Sequence, residues 1–153
     1  MTNKPTIKTD DDLNALSPKR HAQNFAAVRD AHRREIVEDY VEMIAELGHV
    51  QGDVRTGHLA ERFGVSHATV TNRIQRLVAD GLIEDRPYQP LVLTKEGQDI
   101  ARASRDRHLL VRNALIALGV DLETAEADAE GIEHHVSDET LTAFERLIAG
   151  LRE

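Results

Sequence analysis

The hydrophobic positions of this chain recur with helical period over most of its length. Residues 1–16 carry little such pattern. They are polar, with Asp10, Asp11 and Asp12 in succession, and read as a disordered arm. Ser17-Pro18 is a helix-start signal, with Ser17 as N-cap and Pro18 at the first helical position. No Gly or Pro follows until Gly48, so one long helix is predicted over about 18–47. In its second half Ile36, Val37, Tyr40, Val41, Ile44 and Leu47 form one apolar stripe. Its first half, PKRHAQNFAAVRDAHRR, is more polar. A second helix is predicted over 56–63 and a third from Ser66 to about Ala79, joined by Gly64-Val65. The segment LIEDRPYQPLVLT has two short β-prone runs around Pro87 and Pro90 and predicts a two-stranded hairpin with an irregular tip. Three more helices follow: one after Thr94 to about Leu118, stopped by Gly119, one at about 121–135, and one from Ser137 to Leu151.

Helix, short Gly-containing turn, helix and hairpin make a winged helix-turn-helix pattern. In the third helix Val70, Ile74 and Leu77 share an inward face. The opposite face carries Ala68, Asn72 and Gln75, flanked by Thr69, Thr71 and Arg76. Amide side chains pair with adenine edges, and small methyl-bearing ones meet thymine methyls in a major groove. Ser66, Arg73 and Arg76 suit phosphates, as does Arg86 of the wing. The candidate DNA contacts are therefore Ser66, His67, Ala68, Thr69, Thr71, Asn72, Arg73, Gln75, Arg76 and Arg86. One such helix rarely supplies enough specificity, so a homodimer on palindromic double-stranded DNA is expected.

Composition narrows the chemistry. The 153 residues include no Cys and no Trp, which excludes disulfides, thiolate metal sites and thiol catalysis. No apolar run approaches a membrane span, and the first residues lack the core of a secretory signal, so a cytoplasmic protein is expected. The net charge of −8 is unevenly distributed. Residues 35–54 hold six acids and no Lys or Arg, and residues 121–145 hold nine acids and none. Between them lies a mildly basic middle. Acidic blocks are commonly solvated faces, but they also serve as sites for cations.

Three pieces of those blocks carry metal-ligand chemistry. Asp39 and Glu42 share a face of the first helix, and Glu130, Glu133 and His134 share a face of the fifth. His108 sits mid-way along the fourth helix beside Leu109, Leu110 and Val111. Together they offer four carboxylates and two imidazoles, a hard donor set that suits Mn²⁺ or Fe²⁺. Two divalent ions would neutralise four carboxylates, so a binuclear site is allowed. From the residues alone, each acid pair also fits a solvated helix face, and His108 fits a core histidine. A winged-helix sensor of an organic ligand and a small metal hydrolase both stay open.

The two patterns together resemble the diphtheria-toxin-repressor family of metal-dependent transcriptional repressors, most of all its manganese transport regulator branch. The runs AHRREIVEDYVEMI, RFGVSHATVTNRIQRL, SRDRH and DAEGIEHHVSDETL carry the likeness, over about residues 22–148. The resemblance implies that Asp39, Glu42, His108, Glu130, Glu133 and His134 are metal ligands. Iron-responsive relatives have Met and Cys at the positions of Asp39 and Glu130, so the oxygen ligands here resemble the manganese branch. It further implies a mainly α fold. A winged helix-turn-helix domain over 17–95 would be followed by a helical metal-binding and dimerisation domain over 96–153. Candidate dimer contacts are Leu110, Leu115, Ile116, Leu118, Leu141, Phe144, Leu147 and Ile148. The implied role is metal-activated repression of manganese uptake genes, with Mn²⁺, about two per subunit, as ligand and Fe²⁺ as the other candidate. No organic cofactor and no catalytic turnover are expected. Pro90 stands where relatives tend to have glycine, and Asn72 where a basic residue is common. Wing contacts and operator sequence therefore fall outside what the likeness carries.

Overall fold

A computed structural model describes residues 17–151, so the predicted arm at 1–16 lies outside the described residues. Six helices are found among them. Helix α1 spans Pro18–Gln51, α2 Thr56–Phe63, α3 His67–Ala79, α4 Lys95–Ala117, α5 Leu122–Ile132 and α6 Asp138–Gly150. The starts fall at the predicted caps Ser17 and Ser66 and at the predicted start positions of the last three helices. Ser17, Ser66, Thr94, Asp121 and Ser137 each accept an N–H from the first turn of the helix they precede. Helix α1 runs one turn beyond its predicted end, through Gly48, and stops at Gly52 with φ 84°.

Helices α1, α2 and α3 close the first core. Tyr40, Val41, Ile44 and Leu47 of α1 pack with Leu59 and Ala60 of α2 and with Val70, Ile74 and Leu77 of α3. The ring of Tyr40 stacks on Phe63 with centroids 4.6 Å apart. Gly64, at φ 63°, ends α2 in the left-handed region and allows the tight α2–α3 turn. The predicted two-stranded hairpin is reduced to a single antiparallel bridge, Ile83 to Leu93. Pro87 and Pro90 bring no N–H to a ladder. The N–H of Leu91 instead donates to the carbonyl of Val54, at 2.7 Å. The wing is thus an irregular loop pinned to the segment before α2, with Tyr88 exposed at its tip.

Helix α4 is the spine of the second half and packs against α1, α5 and α6. Val111, Ala114, Ala125 and Ala129 are fully buried where α4 meets α5. Helix α5 ends at Ile132, short of the predicted 135. Gly131 weakens its last turn, and the side chains that follow find stronger partners off the helix axis. Helix α6 has no fully buried residue. No described helix is long and apolar enough to cross a membrane.

Candidate metal centre and nucleic-acid interface

The six proposed ligands converge where α1, α4 and the end of α5 meet. His108 and His134 are both buried, and each has a ring nitrogen near the same Glu133 oxygen. Nδ1 of His108 is 3.5 Å and Nε2 of His134 3.4 Å from Oε1 of Glu133. Nε2 of His134 is also 3.3 Å from Asp39, and Nδ1 of His108 is 3.6 Å from Glu130. Glu42 lies within Coulombic range of His108, His134 and Glu130, and accepts the Ser104 hydroxyl at 2.9 Å. Glu130, Glu133 and His134 do not share one helical face as predicted. Glu130 stays on α5, Glu133 is its C-cap, and His134 lies in the following turn. That turn carries the imidazole back to α1.

Several neighbours were not anticipated from the sequence. Glu38 accepts from Nδ1 of His134 at 2.7 Å and from Arg107 of α4. Glu126 pairs with Nε2 of His108 at 3.0 Å and with Arg112. Glu35 joins Asp39 and His134 in one group of ligand-type atoms, and Glu126 joins His108 and Glu130 in another. A usable signal existed: acids at 35, 38, 39 and 42 continue one ridge of α1 at three- and four-residue steps.

The protonation states follow from this crowding. Burial lifts the Glu133 carboxyl to about 7, against the pull of both imidazoles, and the nearby Glu42 and Glu130 add to the rise. Burial also raises Glu42, with Glu130 adding like-charge repulsion. For His134, burial would lower the pKa. The hydrogen bonds to Asp39 and Glu38 outweigh it and raise it to about 10. The second oxygen of Glu133, Oε2, is buried with no hydrogen-bond partner. An orphaned buried carboxylate oxygen among oxygen and imidazole donors fits a hard divalent cation.

Helix α3 presents a polar face to solvent. Ser66, His67, Ala68, Thr69, Thr71, Asn72, Gln75 and Arg76 are exposed. Arg73 is half-buried beside Tyr40. Arg86 is exposed on the wing and pairs with Glu84. The candidate dimer residues also leave apolar area uncovered. Ile116 and Leu118 are exposed, and Leu110, Leu115, Leu141, Phe144, Leu147 and Ile148 are only half-buried.

A helix-turn-helix unit joined through a shared helix to an acidic, histidine-bearing helical unit defines a class. It is a transcriptional regulator with an N-terminal DNA-binding domain and a C-terminal metal-binding and dimerisation domain. The chain belongs to the diphtheria-toxin-repressor family of iron-dependent repressors, in its MntR branch. Residues 34–91 match the iron-dependent-repressor N-terminal DNA-binding domain, and residues 94–153 match its metal-binding and dimerisation domain. The chain is 47% identical over 140 residues to the transcriptional regulator MntR of Escherichia coli O157:H7, covering 92% of this chain and 89% of that protein. It is 39% identical over 101 residues to the HTH-type transcriptional regulator MntR of Bacillus subtilis strain 168, covering 66% and 71%. Among solved structures it resembles a manganese-dependent transcriptional repressor in complex with manganese. The TM-score is 0.66 and the identity 32%, over 74% of this chain and 52% of that one. The manganese regulator SloR gives a TM-score of 0.63 at 26% identity, over 74% and 53%. The chain spans about half the length of these two solved proteins.

Proposed function

We propose that this chain is a manganese-responsive repressor that binds, as a homodimer, palindromic operators of manganese uptake genes. The observation that carries the reading is the convergence of two buried imidazoles on Glu133, whose other oxygen is buried and unpartnered. Asp39, Glu42, His108, Glu130, Glu133 and His134 would hold the ions, about two Mn²⁺ per subunit, with Fe²⁺ the other ion such donors accept. A bound divalent ion supplies the positive charge that lets these carboxylates ionise together.

The rest of the mechanism belongs to the protein's own residues. Helix α1 carries Asp39 and Glu42 and also Tyr40, Val41 and Ile44, which pack into the helix-turn-helix core. Holding α1 against α4 and the α5 turn therefore fixes α3 relative to the dimer. The spacing of the two recognition helices is set to successive major grooves. His67, Ala68, Thr69, Thr71, Asn72 and Gln75 would face base edges, and Ser66, Arg73, Arg76 and Arg86 phosphates. The apolar residues left open on α4 and α6 would be covered by the second subunit. Residues 17–95 make the DNA-binding unit and 96–153 the dimerisation unit. The role is a cytoplasmic sensor without catalytic turnover.

The test is Mn²⁺ stoichiometry, measured by calorimetric titration of the metal-free dimer. About two ions per chain are expected, falling in both Asp39→Ala and Glu130→Ala. Stoichiometry unchanged in both variants would overturn the ligand set.

A further inference from the structure

Helix α1 is far longer than the core requires. Its first 17 residues, Pro18–Arg34, project about 25 Å and are almost wholly exposed. They hold Lys19, Arg20, Arg29, Arg33 and Arg34 against a single acid, Asp30. The charge has a direction. Lys19, Ala22, Ala26, Arg29, Arg33, Ile36 and Tyr40 follow one another at alternating steps of three and four, so they form one ridge of α1. The lower end of that ridge, Ile36 and Tyr40, packs on the helix-turn-helix core. Above it the ridge turns basic, with alanines between the cations that let another surface come close to the backbone.

The switch from apolar to basic falls beside the recognition helix. Arg33, whose guanidinium pairs with Asp30, lines a cleft of about 280 Å³ together with Tyr40, Arg73, Arg76 and Asp80. Arg73 and Arg76 also border Thr69 and Asn72 on the exposed side of α3. Arg33 of α1 and Arg73 and Arg76 of α3 thus face one cleft, and Lys19 and Arg29 extend the same ridge of α1 above it. We propose that the basic half of α1 is a second DNA-contacting element, seating phosphates beside the groove that α3 enters. Its capped start at Ser17-Pro18 and its alanines keep it helical although Ala31 is its only buried residue. Its contacts are to the backbone, so it adds affinity and salt dependence and no sequence preference. Duplex DNA is the occupant favoured over the acidic α5–α6 region of a second copy, because Arg33 opens on the cleft of Arg73 and Arg76.

The inference rests on the reading of α3 as the recognition helix. The experiment compares the full-length protein with the triple variant Lys19→Gln, Arg29→Gln, Arg33→Gln. Anisotropy measures binding, with Mn²⁺, to a labelled duplex from upstream of its own gene and to a random duplex of equal length, over a salt series. The variant is expected to lose roughly tenfold or more in affinity for both duplexes. The ratio between them should stay unchanged, and the salt slope should weaken by about 0.9 for each phosphate that the variant no longer neutralises. The charge-keeping variant Arg29→Lys, Arg33→Lys should restore most of the binding. If wild type shows Mn²⁺-dependent binding and the glutamine variant matches it in affinity and slope, this inference fails while the proposed function stands. If wild type shows none, the proposed function itself fails. A change in dimer mass in the variant would reassign the ridge to the partner subunit.

Discussion

Glu133 concentrates the electrostatics of the site in one side chain. One oxygen lies between His108 and His134 and the other is buried without a partner. Glu133→Ala should leave a folded dimer with weak DNA binding that ignores manganese. Thermal melts should show wild type gaining about 2.7 kcal/mol for each site at Mn²⁺ a hundredfold above Kd, and the variant far less. An equal gain in both would contradict the role given to Glu133. Protons add a second prediction. The pKa of Glu133 is raised from 4.5 to about 7 and that of His134 from 6.5 to about 10, so the metal-free fold holds more protons than the unfolded chain. The stability that Glu133 contributes is full below pH 4.5 and gone above about 7. That of His134 is full below 6.5 and is lost as pH passes about 10. Metal affinity runs the other way, because ligands must shed protons to bind. Between pH 6.5 and 9, the Tm of the metal-free protein should fall while Mn²⁺ affinity rises. Parallel trends would contradict the arrangement. Spacing offered the six residues as candidates and the family resemblance joined them into one set; that Glu133 and His134 leave the helix was not legible. Glu35 and Glu38 lay on a visible acidic ridge, but such a ridge looks the same on any solvated face; only the tertiary fold brings Arg107 and His134 to Glu38, and His108 and Arg112 to Glu126.

Among the elements, caps were the readable feature and irregular segments were not. Ser17, Ser66 and Ser137 announce their helices locally, and the structure starts them there. The wing depends on long-range bonds. Leu91 pairs with Val54, a residue on the far side of α2 and α3, which no local propensity reveals. The end of α5 likewise yields to contacts that His134 makes with α1. The join between wing and α4 gives an element-scale prediction. A Cβ on Gly97 would lie 2.2 Å from the carbonyl oxygen of Leu82. Gly97→Ala should therefore destabilise the fold by about 1–3 kcal/mol, read by urea unfolding. It should do so even though alanine favours helices. A stabilised Gly97→Ala protein would mean that α4 does not sit this close to the wing base.

At the scale of the molecule, two units share helix α1, and α6 offers an apolar stripe with no buried residue. Leu141, Phe144, Leu147 and Ile148 are half-buried in the single chain, as expected of a face that a second copy completes. Phe144→Asp should give a monomer in sedimentation equilibrium, with DNA affinity lowered by tenfold or more. A dimer of unchanged mass would place the interface elsewhere. Assembly was legible in the sequence only as amphipathic spacing, since periodicity says which face is apolar and not what covers it. The proposed regulation rests on coupling between the candidate metal centre and α3, a free energy that would act equally in both directions. The most direct test is binding of the purified dimer to a duplex from upstream of its own gene, at one fixed salt concentration, with Mn²⁺ and with EDTA. Mn²⁺ is predicted to tighten binding at least tenfold, and the chelator to reverse it. Equal binding in both conditions would contradict that coupling and return Asp39, Glu42, Glu130 and Glu133 to an acidic surface without a regulatory role.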